Sequence, residues 1–199
     1  MKIILVGASG TIGKKIAENL SKRHEIVAAS LNNGQVKVDI TDRESIVEMF
    51  KQVGPFDALI SATGTGEFAP VDEITEEQFY KGVRSKMMGQ INLALIGQKY
   101  INEGGSITLT SGILAEDPIR GGVSLSVVNS AVNAFAIAAA IELKRGVRIN
   151  AVSPGIVEDS VEYFGDYFPG HNPVSMERVV NGYVKSVEGG VTGQVIKVF

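Results

Sequence analysis

Hydrophobic positions along this chain fall into two rhythms. The first is short and dense. The apolar, β-branched run Ile3 to Val6 has no polar residue inside it and reads as a strand buried on both faces, as in a parallel sheet. Comparable runs follow at Glu25 to Ser30, at Gln35 to Ile40 with Val36, Val38 and Ile40 alternating, at Ala58 to Ala62, at Ser106 to Thr110, at Val147 to Val152 and at Gln194 to Val198. The second rhythm is helical. Ile12, Ile16, Ala17 and Leu20 share one face, and Ile46, Met49, Phe50 and Val53 share another, capped by Thr41 or Asp42 and stopped by Pro55. Thr75-Glu76-Glu77-Gln78 is a capped helix start, and a long helical pattern runs from Val83 to Ile101, ended by Gly104-Gly105. Leu125 to Leu143 is apolar almost all round, and Met176 to Lys185 gives a final helix. Strands and helices alternate throughout. That alternation predicts a doubly wound, mostly parallel seven-stranded sheet flanked by helices, a three-layer α/β fold over residues 1–199.

The first strand runs straight into Gly7, Gly10 and Gly13, and a helix opens among them. Glycine suits this place because the chain must turn sharply, and because a phosphate can approach backbone N–H groups closely only where no Cβ intervenes. The free amides and positive end of the following helix would then hold a pyrophosphate. Strand, glycines and helix in register favour dinucleotide binding at Gly7, Ser9, Gly10, Thr11, Ile12 and Gly13 over a ligand-free turn.

Composition narrows the chemistry. With 19 basic and 22 acidic side chains, a formal charge of −3 and scattered lysines, the chain has no footprint for nucleic acid. The absence of cysteine removes disulfides, thiolate nucleophiles and zinc–thiolate sites, and two histidines make a histidine-rich metal site a poor reading, so no metal is expected. No signal peptide precedes the first strand, and no apolar run is expected to reach membrane-spanning length, which points to a cytoplasmic protein without a membrane partner. The all-round apolar Leu125–Leu143 pattern, together with Val83–Ile101, predicts self-association as a homodimer or homotetramer.

Chemistry gathers at strand ends. Ser61, Ala62, Thr63 and Gly64 are small residues where a strand passes close to a ligand or another backbone, and Ser111 ends the fifth strand, where open α/β sheets place their crevice. Ser111 also reads as a simple turn serine. Without a ligand, Lys86 reads as a solvated lysine and Asn129 as a partner for nearby backbone. Asp39 has local capping available without any ligand. Residues 156–175 are irregular and aromatic; they suit a substrate-covering flap carrying Tyr163 and Tyr167, or a contact loop. No acid ends the second strand at Ser30-Leu31-Asn32, whereas Ser9, Ser30, Asn32, Lys14 and Lys15 offer donors, so the cofactor reading leans to NADP over NAD.

Taken in order, these residues resemble the short-chain dehydrogenase/reductase family over nearly the whole chain. The resemblance rests on the Gly7, Gly10, Gly13 turn, on Asp39-Ile40-Thr41, on Ser61-Ala62-Thr63-Gly64, on Ser111, and on Asn150 to Pro154-Gly155. It implies a Rossmann fold, NAD(P)(H), hydride transfer at the alcohol or carbonyl of a small molecule, Asp39 and Ile40 beside the adenine, and Pro154 and Gly155 on the nicotinamide side. It also implies a Tyr-x-x-x-Lys pair after the serine. Anchored on Asn129 to Phe135, the tyrosine position holds Leu125, the lysine position holds Asn129, and a helix asparagine is replaced by Lys86. Leucine transfers no proton. Two readings follow: an oxidoreductase in which Ser111 binds the substrate oxygen while Lys86 or a flap tyrosine supplies the proton, or a cofactor-binding sensor or partner subunit without turnover.

Overall fold

In the computed structural model, which describes residues 1–199, the N-terminal run forms β1 (Lys2–Val6), with Ile3, Ile4 and Leu5 shut off from solvent. Next come α1 (Thr11–Leu20), β2 (Glu25–Ser30), β3 (Val36–Lys37), α2 (Arg43–Val53) and β4 (Phe56–Ser61). A long helical segment then comprises α3 (Glu76–Gly82), a π-helical stretch over Val83–Gly89 and α4 (Gln90–Gly97). The remaining elements are β5 (Ile101–Thr110), α5 (Val123–Glu142), β6 (Arg148–Pro154), the single turn α6 (Val161–Phe164), α7 (Met176–Glu188) and β7 (Val195–Val198).

All seven strands lie in one sheet, ordered β3-β2-β1-β4-β5-β6-β7, and every neighbouring pair is parallel. The chain walks outward from β1 to β3 and then returns to β4 on the other side of β1, which opens a crevice above the carboxyl ends of β1 and β4. Period-two alternation divides the core. Ile4 and Val6 join Phe50, Leu93, Leu109 and Val132 in one layer, while Ile3 and Leu5 join Ile16, Leu20, Val179 and Tyr183 in the other. This is the doubly wound, three-layer architecture that the pattern predicts.

Several boundaries differ from the expectation, each for a visible reason. β3 has two residues, because the Asp39 N–H turns from the sheet to Ser45 Oγ at 2.9 Å. The helix expected to reach Ile101 ends at Gly97, where a Cβ would stand 2.9 Å from the Phe50 ring, and Ile101 already pairs with Phe56 in β5. Gly104 and Gly105 therefore stop no helix. They form an irregularity inside β5, with Gly104 at φ +72° and a Cβ on Gly105 placed 2.6 Å from Asp57 O. Asp42, not Thr41, caps α2 by accepting from Glu44 N, whereas Thr75 and Gln78 form a reciprocal box at the start of α3.

The expectation that no apolar run reaches membrane-spanning length fails at α5, whose length and composition would suffice. Its inner face packs Val128, Val132 and Ala136, fully buried, against the sheet, and its outer face leaves Ile137 and Ile141 exposed. A core helix with an apolar outer face satisfies the same pattern as a membrane span.

Candidate functional site

The glycine turn is shaped by backbone meeting backbone. Gly7 lies at φ +87°, where a Cβ would stand 2.4 Å from Ala62 O, and a Cβ on Gly13 would stand 2.0 Å from Gly7 O. Those two glycines let β1, β4 and α1 close on one another. Gly10 differs: a Cβ there would meet only Gly7 O, at an ordinary 3.4 Å. The protein does not need glycine at position 10 for its own packing, so the space above it belongs to the cleft. Gly10 caps α1 without a side-chain bond, and the N–H groups of Thr11, Ile12 and Gly13 have no hydrogen-bond partner. No acid stands in the first turn of α1. Orphan donors at the positive end of a helix fit a bound phosphate.

From this turn a cleft of about 830 Å³ extends over the strand ends. Gly7, Ser9 and Gly10 form its floor, with Ser30, Leu31, Asp39, Ile40 and Thr41 on one side and Ala62, Thr63 and Gly64 on the other. Asp39 has a structural duty within it, since Oδ1 accepts from Thr41 N at 2.8 Å and from Thr41 Oγ1 at 2.7 Å. Ser30 Oγ accepts from Asn33 N at 3.0 Å and holds the turn after β2. Ser61 lies below the rim; its hydroxyl is buried without a partner and its carbonyl accepts from Thr110 Oγ1 at 2.6 Å. The far wall, which the sequence did not reveal, comes from α3 and the turn after it. Lys81 pairs there with Glu67, and Arg84 sits 3.2 Å from Glu77 and over the Tyr80 ring.

A second group of residues surrounds the end of β5. Ser111 is 3 % exposed; its N–H donates to Val152 O at 2.9 Å, while its Oγ, 3.5 Å from the same oxygen, keeps most of its donor capacity. Asn129, also 3 % exposed, lies against the next residue, with Nδ2 only 3.2 Å from where a Cβ on Gly112 would stand. Its Oδ1 is buried without a partner, which rules out the reading in which it satisfies nearby backbone. Pro154 ends β6 alongside, and Gly155 N donates to Val198 O at 2.9 Å.

Lys86 enters from the π-helical stretch. Its backbone presses on Gly64, which has φ +112° and where a Cβ would stand 2.7 Å from Lys86 Cα. The residue is half-buried, so it is not a freely solvated lysine. No carboxylate lies within ion-pair distance, and burial draws the amine down to about 8. Leu125 places Cδ2 against Gly66 and offers no donor. The loop beyond is tied down by Ser124 Oγ donating to Glu67 O at 2.8 Å and Ala69 N donating to Gly121 O at 2.9 Å.

One residue that joins these groups escaped the sequence. Gln90 is fully buried; Oε1 accepts from Thr110 N at 2.8 Å, and Nε2 donates to Thr110 O at 2.8 Å and to Lys86 O at 2.9 Å. The available signal was a polar residue one turn before the inward-facing Leu93, Ala94 and Gly97. Behind it Tyr183, also fully buried, shares a 2.7 Å hydrogen bond with Thr110 Oγ1, and burial pushes its phenol well above the usual range. Of the flap tyrosines, Tyr163 is 72 % exposed, whereas Tyr167 stacks on Phe68 with ring centroids 4.8 Å apart. Phe68, Tyr167, Arg120, Asp117 and His171 line a second cleft of about 680 Å³.

A parallel doubly wound sheet with a glycine turn, orphan amides and a cleft at the switch point defines a dinucleotide-binding α/β protein. A family model described as enoyl-(acyl carrier protein) reductase matches residues 7–173. The chain is similar to the protein lin1944 from Listeria innocua, with a TM-score of 0.99, 47 % identity and full coverage of both chains. It is also similar to a small-chain dehydrogenase in complex with NADPH, with a TM-score of 0.88 and 26 % identity, covering 100 % of this chain and 96 % of that one. Tetrahydroxynaphthalene reductase of Pyricularia oryzae is 27 % identical over 206 residues, which is 89 % of this chain and 73 % of that protein. The chain belongs to the short-chain dehydrogenase/reductase family of NAD(P)-dependent oxidoreductases.

Proposed function

We propose that this protein transfers hydride between NADP(H) and the carbonyl or alcohol of a small molecule, with a proton donor rebuilt at Lys86. Two observations carry this reading: at the end of β5 a buried serine with a spare donor and an orphan asparagine oxygen, and on the stretch packed against Gly64 an amine drawn down to about 8. The amides of Thr11, Ile12 and Gly13 would hold the pyrophosphate, Asp39-Ile40 and Ala62 to Gly64 would flank the adenosine, and Asn129 Oδ1 would accept from the nicotinamide ribose. When bound, the nicotinamide supplies the hydride. Ser111 Oγ donates to the substrate oxygen, and the Lys86 ammonium delivers the proton as negative charge develops there.

The lean to NADP rests on the absence of an acid after β2 and on the NADPH complex of the similar dehydrogenase. Residues 156–175 act as the substrate flap, closed by Tyr167 on Phe68. An aromatic mouth suits a planar ring substrate, in keeping with the name of the naphthalene-ring relative. Self-association as a homodimer or homotetramer uses the outer faces of α4 and α5, where Leu95, Val127, Ile137 and Ile141 are exposed. A cytoplasmic setting suits a chain with no cysteine.

Leu125 favours the second reading, a protein that binds the cofactor without turnover. The two separate on incubation of purified protein with 4-deuterated NADPH and a panel of aromatic and aliphatic ketones. Deuterium in a product alcohol supports the oxidoreductase; saturable NADPH binding without any labelled product would leave the sensor or partner subunit.

A further inference from the structure

The last residue pair between β4 and β5 is Ile60 with Thr108. Beyond it β4 diverges, and the Ala62 N–H goes to Val6 O in β1. The Thr110 peptide therefore has no strand beside it on the β4 side, although its neighbour Ser111 is held on the other side by Val152 O. Gln90 takes the place of the missing strand. Its side-chain amide supplies one acceptor and one donor to the N–H and C=O of Thr110, each at 2.8 Å, as a strand peptide would. The second Nε2 proton reaches Lys86 O at 2.9 Å, four residues back in the π-helical stretch. Both protons and the oxygen are used, and the side chain is fully buried.

We infer that Gln90 is a positioning residue, a clamp that holds the turn carrying Lys86 at a fixed distance from the strand end carrying Ser111. A π-helical stretch is uncommon and concentrates at functional sites, because its wider turn shifts the residues it presents relative to an α-helix. Without the clamp the stretch relaxes toward α-helical pairing, and Lys86 rotates away from Gly64. The catalytic meaning of this clamp rests on the hydride-transfer reading above; its geometry does not.

Gln90→Met tests it with a readout that needs no substrate, the titration of the Lys86 amine followed by NMR of lysine-labelled protein. The groups around that amine leave burial as the main influence. Arg84 and Lys81 on its own helical run are paired with Glu77 and Glu67, and α5 carries no charged residue before Glu142. The native amine should titrate near 8 and, in folded Gln90→Met, move by about one unit or more toward the ordinary 10.5. An unchanged Lys86 titration in folded variant overturns the inference. If Gln90→Met does not fold, the native protein still decides: the Gln90 side-chain amide protons should exchange at least about a hundredfold more slowly than those of exposed Gln52, and equal rates overturn the clamp. Absence of turnover in the native protein would sink the hydride-transfer reading while leaving this result standing.

Discussion

At the β1–α1 turn, the contacts that shape the cleft come from main chain: Gly7 against Ala62 O, Gly13 against Gly7 O, and the free amides of Thr11 to Gly13. At the end of β5 the shape comes from side chains contributed by different elements: Gln90 on α4, Asn129 on α5 and Lys86 in the π-helical stretch. The contrast has a physical cause. A pyrophosphate is met by amides that every residue carries, so only the missing Cβ atoms are specified. Proton transfer needs a particular group with a particular pKa, and different side chains can supply it once their surroundings are adjusted.

That contrast can be broken within the glycine turn itself. Gly13→Val puts carbon atoms inside the space of Gly7 O, so it should destabilise the protein by about 3 kcal/mol or more, and thermal unfolding should show largely unfolded protein. Gly10→Val meets no such wall and should fold normally. Equal thermal midpoints for the two variants would contradict the division between a glycine the fold needs and one the ligand needs.

The side-chain half gives the next largest effects. Ser111→Ala removes a donor to the developing alkoxide and should lower turnover about a hundred- to a thousandfold while leaving NADPH affinity nearly unchanged, as read by steady-state kinetics beside calorimetry. Lys86→Met should cost about a hundredfold and also change the pH profile. The sign follows from the acid role: the ammonium is present below about 8, so carbonyl reduction by the native enzyme should fall as pH rises through that value, and the variant should lack that limb. An alkaline limb that survives in Lys86→Met would assign the proton to another group. The smallest effect is expected at Tyr183→Phe, which loses one buried hydrogen bond to Thr110 and should cost about 1 kcal/mol in chemical denaturation.

The same contrast explains what could be read from the chain. Strand and helix order, the parallel sheet and the glycine cradle were legible because burial on both faces leaves continuous apolar runs and because the turn repeats glycine at fixed spacing. Gly104-Gly105 misled, since glycine marks a strand irregularity as readily as a helix end, and only the pairing of Ile101 with Phe56 distinguishes them. Ser111 was legible as the residue ending a strand. Gln90 was not, because its role exists only where β4 parts from β5, a fact of three-dimensional divergence that no local pattern records. The Lys81 and Arg84 wall was equally hidden, since the loop after β4 brings α3 across the cleft.

Calorimetric titration of NADPH into the native protein and into Gly10→Val tests the backbone cradle most directly as a dinucleotide site. The native chain should bind one NADPH per subunit, and Gly10→Val, at an unchanged thermal midpoint, should bind at least about tenfold more weakly. No saturable heat from the native protein, or equal affinity in the folded variant, would contradict it.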